Sequence, residues 1–141
     1  MTAATPMTAG EKLPRAEIAI TQEMIDRYAA ISGDYNPIHV DAEAAAKSPF
    51  GGTIAHGCIP IEPVFKALLS QLGRPDLPFG TEFELRYRQP SKPGDTIHVE
   101  AEIVGQGDDG KWQIDIVCRN QSGEPVLDGK CRVPSDDRPG S

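Results

Sequence analysis

His56–Gly73, HGCIPIEPVFKALLSQLG, decides how this chain must fold. Ile59, Ile61, Val64, Phe65, Ala67, Leu68, Leu69 and Leu72 fall on nearly every side of a helical wheel. A helix apolar almost all round has no face to give to water, so it is buried. Gly73 suits the left-handed residue that ends such a helix, and Pro60 suits its first turn. Pro63 cannot donate to the carbonyl of Ile59, which predicts a kink or a late helix start. The rest of the chain must supply what covers this helix.

The cover is legible downstream. TEFELRYRQ alternates strictly, with Phe83, Leu85 and Tyr87 on one side and Glu82, Glu84, Arg86 and Arg88 on the other. TIHVEAEIV turns Ile97, Val99, Ala101 and Ile103 inward; WQIDIVC does so with Trp112, Ile114, Ile116 and Cys118; VLDGKCRV with Leu127, Gly129, Cys131 and Val133. Period-two alternation in four runs means half-buried strands with one wet face. The breaks PSKPGD, GQGDDG and NQSGEP carry turn chemistry, and short links between neighbours predict an antiparallel meander. Upstream, a short strand is expected over 16–20. Thr21 then caps a helix, QEMIDRYAAIS, whose Met24, Ile25, Tyr28 and Ile31 share a face. Asp41 caps a short helix, AEAAAKS. Burying one apolar helix together with the dry faces of four or five strands requires the sheet to wrap the helix, an α+β fold.

At 141 residues the chain is one domain, expected over 15–134, with flexible segments at 1–14 and 135–141. A net charge of −7 argues against nucleic acid, although a local basic cluster still permits an anionic ligand. No apolar run approaches a membrane span, and the first fourteen residues lack the basic and apolar regions of a secretory signal. Cys58, Cys118 and Cys131 are an odd set without CxxC spacing, read as reduced thiols in the cytoplasm. His56 and Cys58 form only a lone H-x-C, so no metal is expected.

SGDYNPIHVD, residues 32–41, carries the chemistry. Asn36 precedes proline and is pushed out of the helical region; Pro37 fixes its own φ at the start of a turn that Asn36 caps. The segment is a stiff corner holding Asp34 and His39 in fixed relation. Each residue alone reads more simply as turn chemistry or packing. Together with FGGTIAHGCIP, which brings His56 and Gly57 to the start of the buried helix, they make a carboxylate, an imidazole and backbone N–H groups suited to a developing oxyanion.

GDYNPIH at 33–39, GGTIAHG at 51–57 and the apolar helix after them resemble the MaoC-like, (R)-specific enoyl-CoA hydratases of the hot-dog fold, over most of the chain from Gln22 to Val133. The resemblance implies a five-stranded antiparallel sheet around a long central helix, and a homodimer. It implies that Asp34 and His39 hold and activate one water, that Asn36 supports the loop, and that the Gly57 N–H polarises a thioester carbonyl. It implies no metal or redox cofactor, and an acyl-CoA or acyl-carrier-protein thioester as substrate. His56, Ile59, Glu62 and Phe65 are expected at the substrate. The family often has a serine where this chain has Phe65, which predicts a preference for short acyl groups. Glu62 reads either as a first-turn carboxylate on the helix dipole or as a pocket residue. His98, Arg86, Arg88, Lys92 and Lys130 read most simply as solvated charges. A hot-dog thioesterase and a non-catalytic acyl-thioester-binding subunit are the competing readings; the complete motif, with both Asp34 and His39, favours the hydratase.

Overall fold

The computed structural model describes residues 6–135. In chain order the elements are β1 (Glu17–Ala19), α1 (Gln22–Ser32), α2 (Pro37–Val40), α3 (Ala42–Ala46), α4 (Glu62–Leu72), β2 (Glu82–Tyr87), β3 (Thr96–Gln106), β4 (Trp112–Arg119) and β5 (Pro125–Val133). The expected caps form: Thr21 accepts from the Met24 N–H at 3.1 Å, and Asp41 from the Glu43 and Ala44 N–H groups. Gly73 ends α4 at φ 64.

The five strands make one antiparallel sheet in the order β1-β3-β4-β5-β2. The expected meander holds for β3, β4 and β5. β2 instead crosses to the far edge and pairs with β5, Leu85 opposite Gly129. The reason lies in the link between β2 and β3, where Pro90 and Pro93 lack donors for a tight hairpin. That link is drawn away from the sheet: Ala55 N–H donates to Ser91 O at 2.7 Å and Ile20 N–H to Asp95 O at 2.8 Å.

The dry face of the sheet carries Ile97, Ile103, Ile114, Leu127 and Val133, which pack with Val64, Ala67 and Leu68 of α4. Each such aliphatic side chain, fully buried, contributes about 1.5–3 kcal/mol. Cys118 and Cys131 belong to this core, and burial pushes both thiols up to about 12, so they act there as small apolar groups. Tyr87 departs from the expected alternation: it is 54% exposed, its hydroxyl bonded elsewhere. The sheet buries one face of α4, while Ile61, Phe65, Leu69 and Leu72 are only half-buried. The helix starts late, as Pro63 foretold: residues 57–61 form a series of turns, and α4 proper begins at Glu62.

Part of the segment expected to be flexible is built into the sheet edge. Gly10 N–H donates to Ile103 O at 2.7 Å, Leu13 N–H to Ala101 O at 2.9 Å, and Leu13 is buried. The remainder of the two expected flexible ends, residues 1–5 and 136–141, lies outside the described residues. Among the described residues no helix is long and apolar enough to cross a membrane.

Candidate active site

Asn36 has the extended backbone required before proline, φ −51 and ψ 131, and its side chain accepts from the Ile38 N–H at 3.2 Å. That bond starts α2, a single turn that carries His39 inward. Gln22 of α1 holds the turn from outside: its amide donates to His39 O at 2.8 Å and accepts from the Thr53 hydroxyl at 2.7 Å. His39 is buried, and its Nδ1 lies 2.8 Å from Ile54 O. A carbonyl only accepts, so Nδ1 carries the proton and Nε2 presents a lone pair. Asp34 Oδ2 faces that lone pair at 3.7 Å, its side chain 52% exposed.

Two acceptors face each other across this gap, too far apart for a direct bond. A water bridging them would donate one hydrogen to each. Its oxygen lone pairs then point away from both, toward whatever electrophile lies alongside.

His56 completes the cluster. Its ring stacks on His39, centroids 3.9 Å apart at 24°, and Tyr28 tilts against it at 4.6 Å. Its Nε2 lies 3.0 Å from Asp34 O. Gly57, next in the chain, is exposed, and its N–H has no acceptor among the described residues. Its carbonyl accepts from the Tyr87 hydroxyl at 2.6 Å. The late start of α4 places Gly57 in the preceding turns and not in the helix itself, so the unused N–H is a turn amide. Cys58 is exposed, and its thiol beside Tyr28 holds that phenol above its ordinary value.

The arrangement has counterparts. Residues 4–124 match the family model described as the MaoC like domain. This chain belongs to the MaoC-like family. It is 34% identical over 116 residues to 3-hydroxyacyl-thioester dehydratase Z of Mycobacterium tuberculosis, spanning 75% of this chain and 73% of that protein. It is 33% identical over 107 residues to 3-hydroxybutyryl-CoA dehydratase of Methylorubrum extorquens, spanning 75% and 67%. The unliganded R-hydratase PhaJ1 of Pseudomonas aeruginosa superimposes with a TM-score of 0.76 at 30% identity, over 92% of this chain and 83% of that one. The fold is accordingly the hot-dog fold.

Of the residues expected at this MaoC-like site, Asp34, Asn36, His39, His56 and Gly57 come together. Ile59 and Glu62 line a separate, adjoining groove of about 490 Å³ between α1 and the start of α4, shared with Met24, Tyr28, Ile31 and Cys58. Glu62 is exposed, consistent with both of its readings. Phe65 does not line this groove. Its ring packs edge-on against Phe83 at 5.4 Å, on the side of α4 that faces β2. His98 pairs with Glu100, and Arg88 with Asp128 through two bonds of 2.9 and 3.0 Å, as solvated charges do. By periodicity alone Tyr28 and Tyr87 stand as apolar positions of a helix and a strand. Their hydroxyls were the available signal, since a phenol near a core seeks a partner.

Asp34, His39 and His56 are also a donor set of the kind that binds metals, with one ligand atom of each within 4.8 Å of the others. The geometry does not fit an ion well. Ring lone pairs lie in the ring plane, and two imidazoles stacked at 24° direct theirs side by side, not onto one point. One nitrogen of each ring already faces a backbone carbonyl.

Proposed function

We propose that this protein catalyses the reversible hydration of a 2-enoyl thioester to an (R)-3-hydroxyacyl thioester, with Asp34 and His39 as the groups that activate water. The observation that carries this reading is the 3.7 Å gap between Asp34 Oδ2 and the His39 Nε2 lone pair. Conjugation with the thioester makes the β-carbon electrophilic. The water oxygen bonds to that carbon, Asp34 takes a proton from the water, and His39 orients it. As the carbon–carbon double bond becomes single, charge gathers on the thioester oxygen, where the Gly57 N–H donates. Asp34 then passes that proton to the bare Nε2 of His39, which delivers it to the α-carbon, so that both groups are regenerated and the thioester stays intact. The names of the MaoC-like relatives support the same reaction class.

The acyl chain is assigned to the groove between α1 and α4. The groove is mostly apolar, opens beside Tyr28 and Cys58 next to the catalytic cluster, and falls in the size range of small-molecule sites. Chain-length preference is then set by the groove and not by Phe65. Met24→Trp is expected to lower kcat/KM for an eight-carbon enoyl-CoA at least about tenfold more than for crotonyl-CoA, because the added ring fills the chain's volume. Phe65→Ser leaves the profile unchanged. A profile that shifts with Phe65→Ser and not with Met24→Trp puts the chain on the other face of α4.

The thioester carrier is coenzyme A or acyl carrier protein, in the cytoplasm, where three free thiols are at home. A homodimer belongs to the same reading. The half-buried apolar face of α4 and the unpaired outer edge of β2 both call for cover. Light scattering is expected to give about twice the chain mass of 15.2 kDa; a species at 15.2 kDa at micromolar concentration opposes it. The reaction itself is tested with a series of enoyl-CoAs, following loss of conjugated-thioester absorbance and appearance of free thiol together. Loss of absorbance alone is hydration; thiol release is thioester cleavage.

A further inference from the structure

We infer that His56 is a positioning residue: through its Nε2–H it fixes the backbone of Asp34, and with it the carboxylate opposite His39. The inference rests on the hydration reading for its consequence, but its structural basis is separate. The loop from Gly33 to Asn36 is held mainly by bonds that close on itself or on its neighbours. Gly33 N–H donates to Ala29 O, Asp34 N–H to the Ser32 hydroxyl at 3.1 Å, and Asn36 N–H to Asp34 Oδ1 at 3.2 Å. Among the described residues, the one hydrogen bond that ties this loop to a distant segment is His56 Nε2 to Asp34 O, across 22 positions.

The acceptor is a carbonyl, so Nε2 is the protonated nitrogen and Nδ1 the bare one. Nδ1 is buried and has no partner among the described residues. Leaving such a group unsatisfied is unfavourable. An aromatic hydrocarbon ring stacked on His39 and met by Tyr28 would fill the same space without that penalty. What only imidazole supplies here is the Nε2–H, and its single use is to hold Asp34 O. His56 is 4% exposed, with its Nε2 turned to Asp34 O and its Nδ1 buried. A small displacement of a catalytic group costs about 10²-fold in rate, so a loop anchored at its carbonyl bears directly on turnover.

The test compares His56→Phe, His56→Met and His56→Gln with wild type. Each is followed by thermal melting, steady-state kinetics on crotonyl-CoA, and hydrogen–deuterium exchange of the segment 32–37. The Phe and Met variants are expected to speed exchange in that segment and to lower kcat about 10–100-fold with KM changed less than about threefold. The Gln variant, whose amide N–H reaches the same carbonyl, restores both to within about threefold of wild type. Wild-type exchange and kcat in a folded Phe or Met variant overturn the inference. So does a folded Gln variant that restores neither, because the ring and not its Nε2–H would then matter. Where neither apolar variant folds, the Gln variant decides by the same criterion. If wild type hydrates no enoyl thioester, the hydration reading fails, while the exchange data still decide whether His56 holds the loop.

Discussion

Asp34→Asn and His39→Gln are each expected to lower kcat/KM for crotonyl-CoA by at least about 10²-fold while the protein melts within a few degrees of wild type. Asn keeps the size of Asp34 and its bond to the Asn36 N–H, but it is a poor proton acceptor. Gln keeps polarity at position 39, but it lacks a lone pair with imidazole's basicity. The Asp34 side chain is half exposed, so Asp34→Asn costs little stability, and at buried position 39 a Gln of similar size keeps an amide N–H for Ile54 O. In the proposed mechanism both groups act on the same water. The double variant is therefore expected to be little worse than the poorer single variant. Near wild-type turnover in either single variant removes that residue from the mechanism. Effects that multiply in the double variant mean the two act in separate steps.

Gly129→Ala is expected to lower stability by about 3 kcal/mol or more, read as a fall in Tm of about 10 °C or as failure to accumulate folded protein. Gly129 stands in β5 between β4 and β2, opposite Ile116 and Leu85, at φ 151. A Cβ there would lie 2.0 Å from Glu84 O and 2.9 Å from Leu85 Cα. Both are backbone atoms of the paired strand and cannot swing aside as a side chain would. Relief requires β2 to part from β5, and β2 is an edge strand with no other partner in the sheet among the described residues. Gly105→Ala is the control, because its added Cβ meets nothing within 4 Å and its φ is ordinary. Equal melting temperatures for the two variants contradict the close approach.

These two predictions draw differently on the sequence. Alternation in four runs was enough to find β2 to β5, because one wet face and one dry face leave a period of two. It also led Gly129 to be counted as an inward strand position. That its lack of a side chain is needed to admit the Glu84 carbonyl depends on β2 pairing with β5, which local pattern cannot reveal. Tyr87 was misassigned for a related reason. It ends β2 at the sheet edge, where its hydroxyl gains more from Gly57 O than its ring gains from the core. Pro63 foretold the late start of α4, and that start is what leaves Gly57 in a turn.

The loop that carries Asp34 and His39 was legible because its geometry is local. Asn36, Pro37 and the turn they force bring Asp34 and His39 together within six residues. His56 was found as a residue but not in its role, since the bond that defines the role spans the gap between two segments. The expectation for Phe65 rests on the serine that the family often has at its position. Its neighbour Phe83 arrives from β2, a partner that helical periodicity does not disclose.

The central claim is that water adds to carbon and leaves the thioester whole. The most direct measurement is the fate of solvent oxygen when the enzyme and crotonyl-CoA are incubated in ¹⁸O-water and the products are resolved by mass spectrometry. The label is expected in the 3-hydroxyl of an intact hydroxybutyryl-CoA of (R) configuration. Label in a free carboxylate, with coenzyme A released, would contradict the claim and make this site a thioesterase.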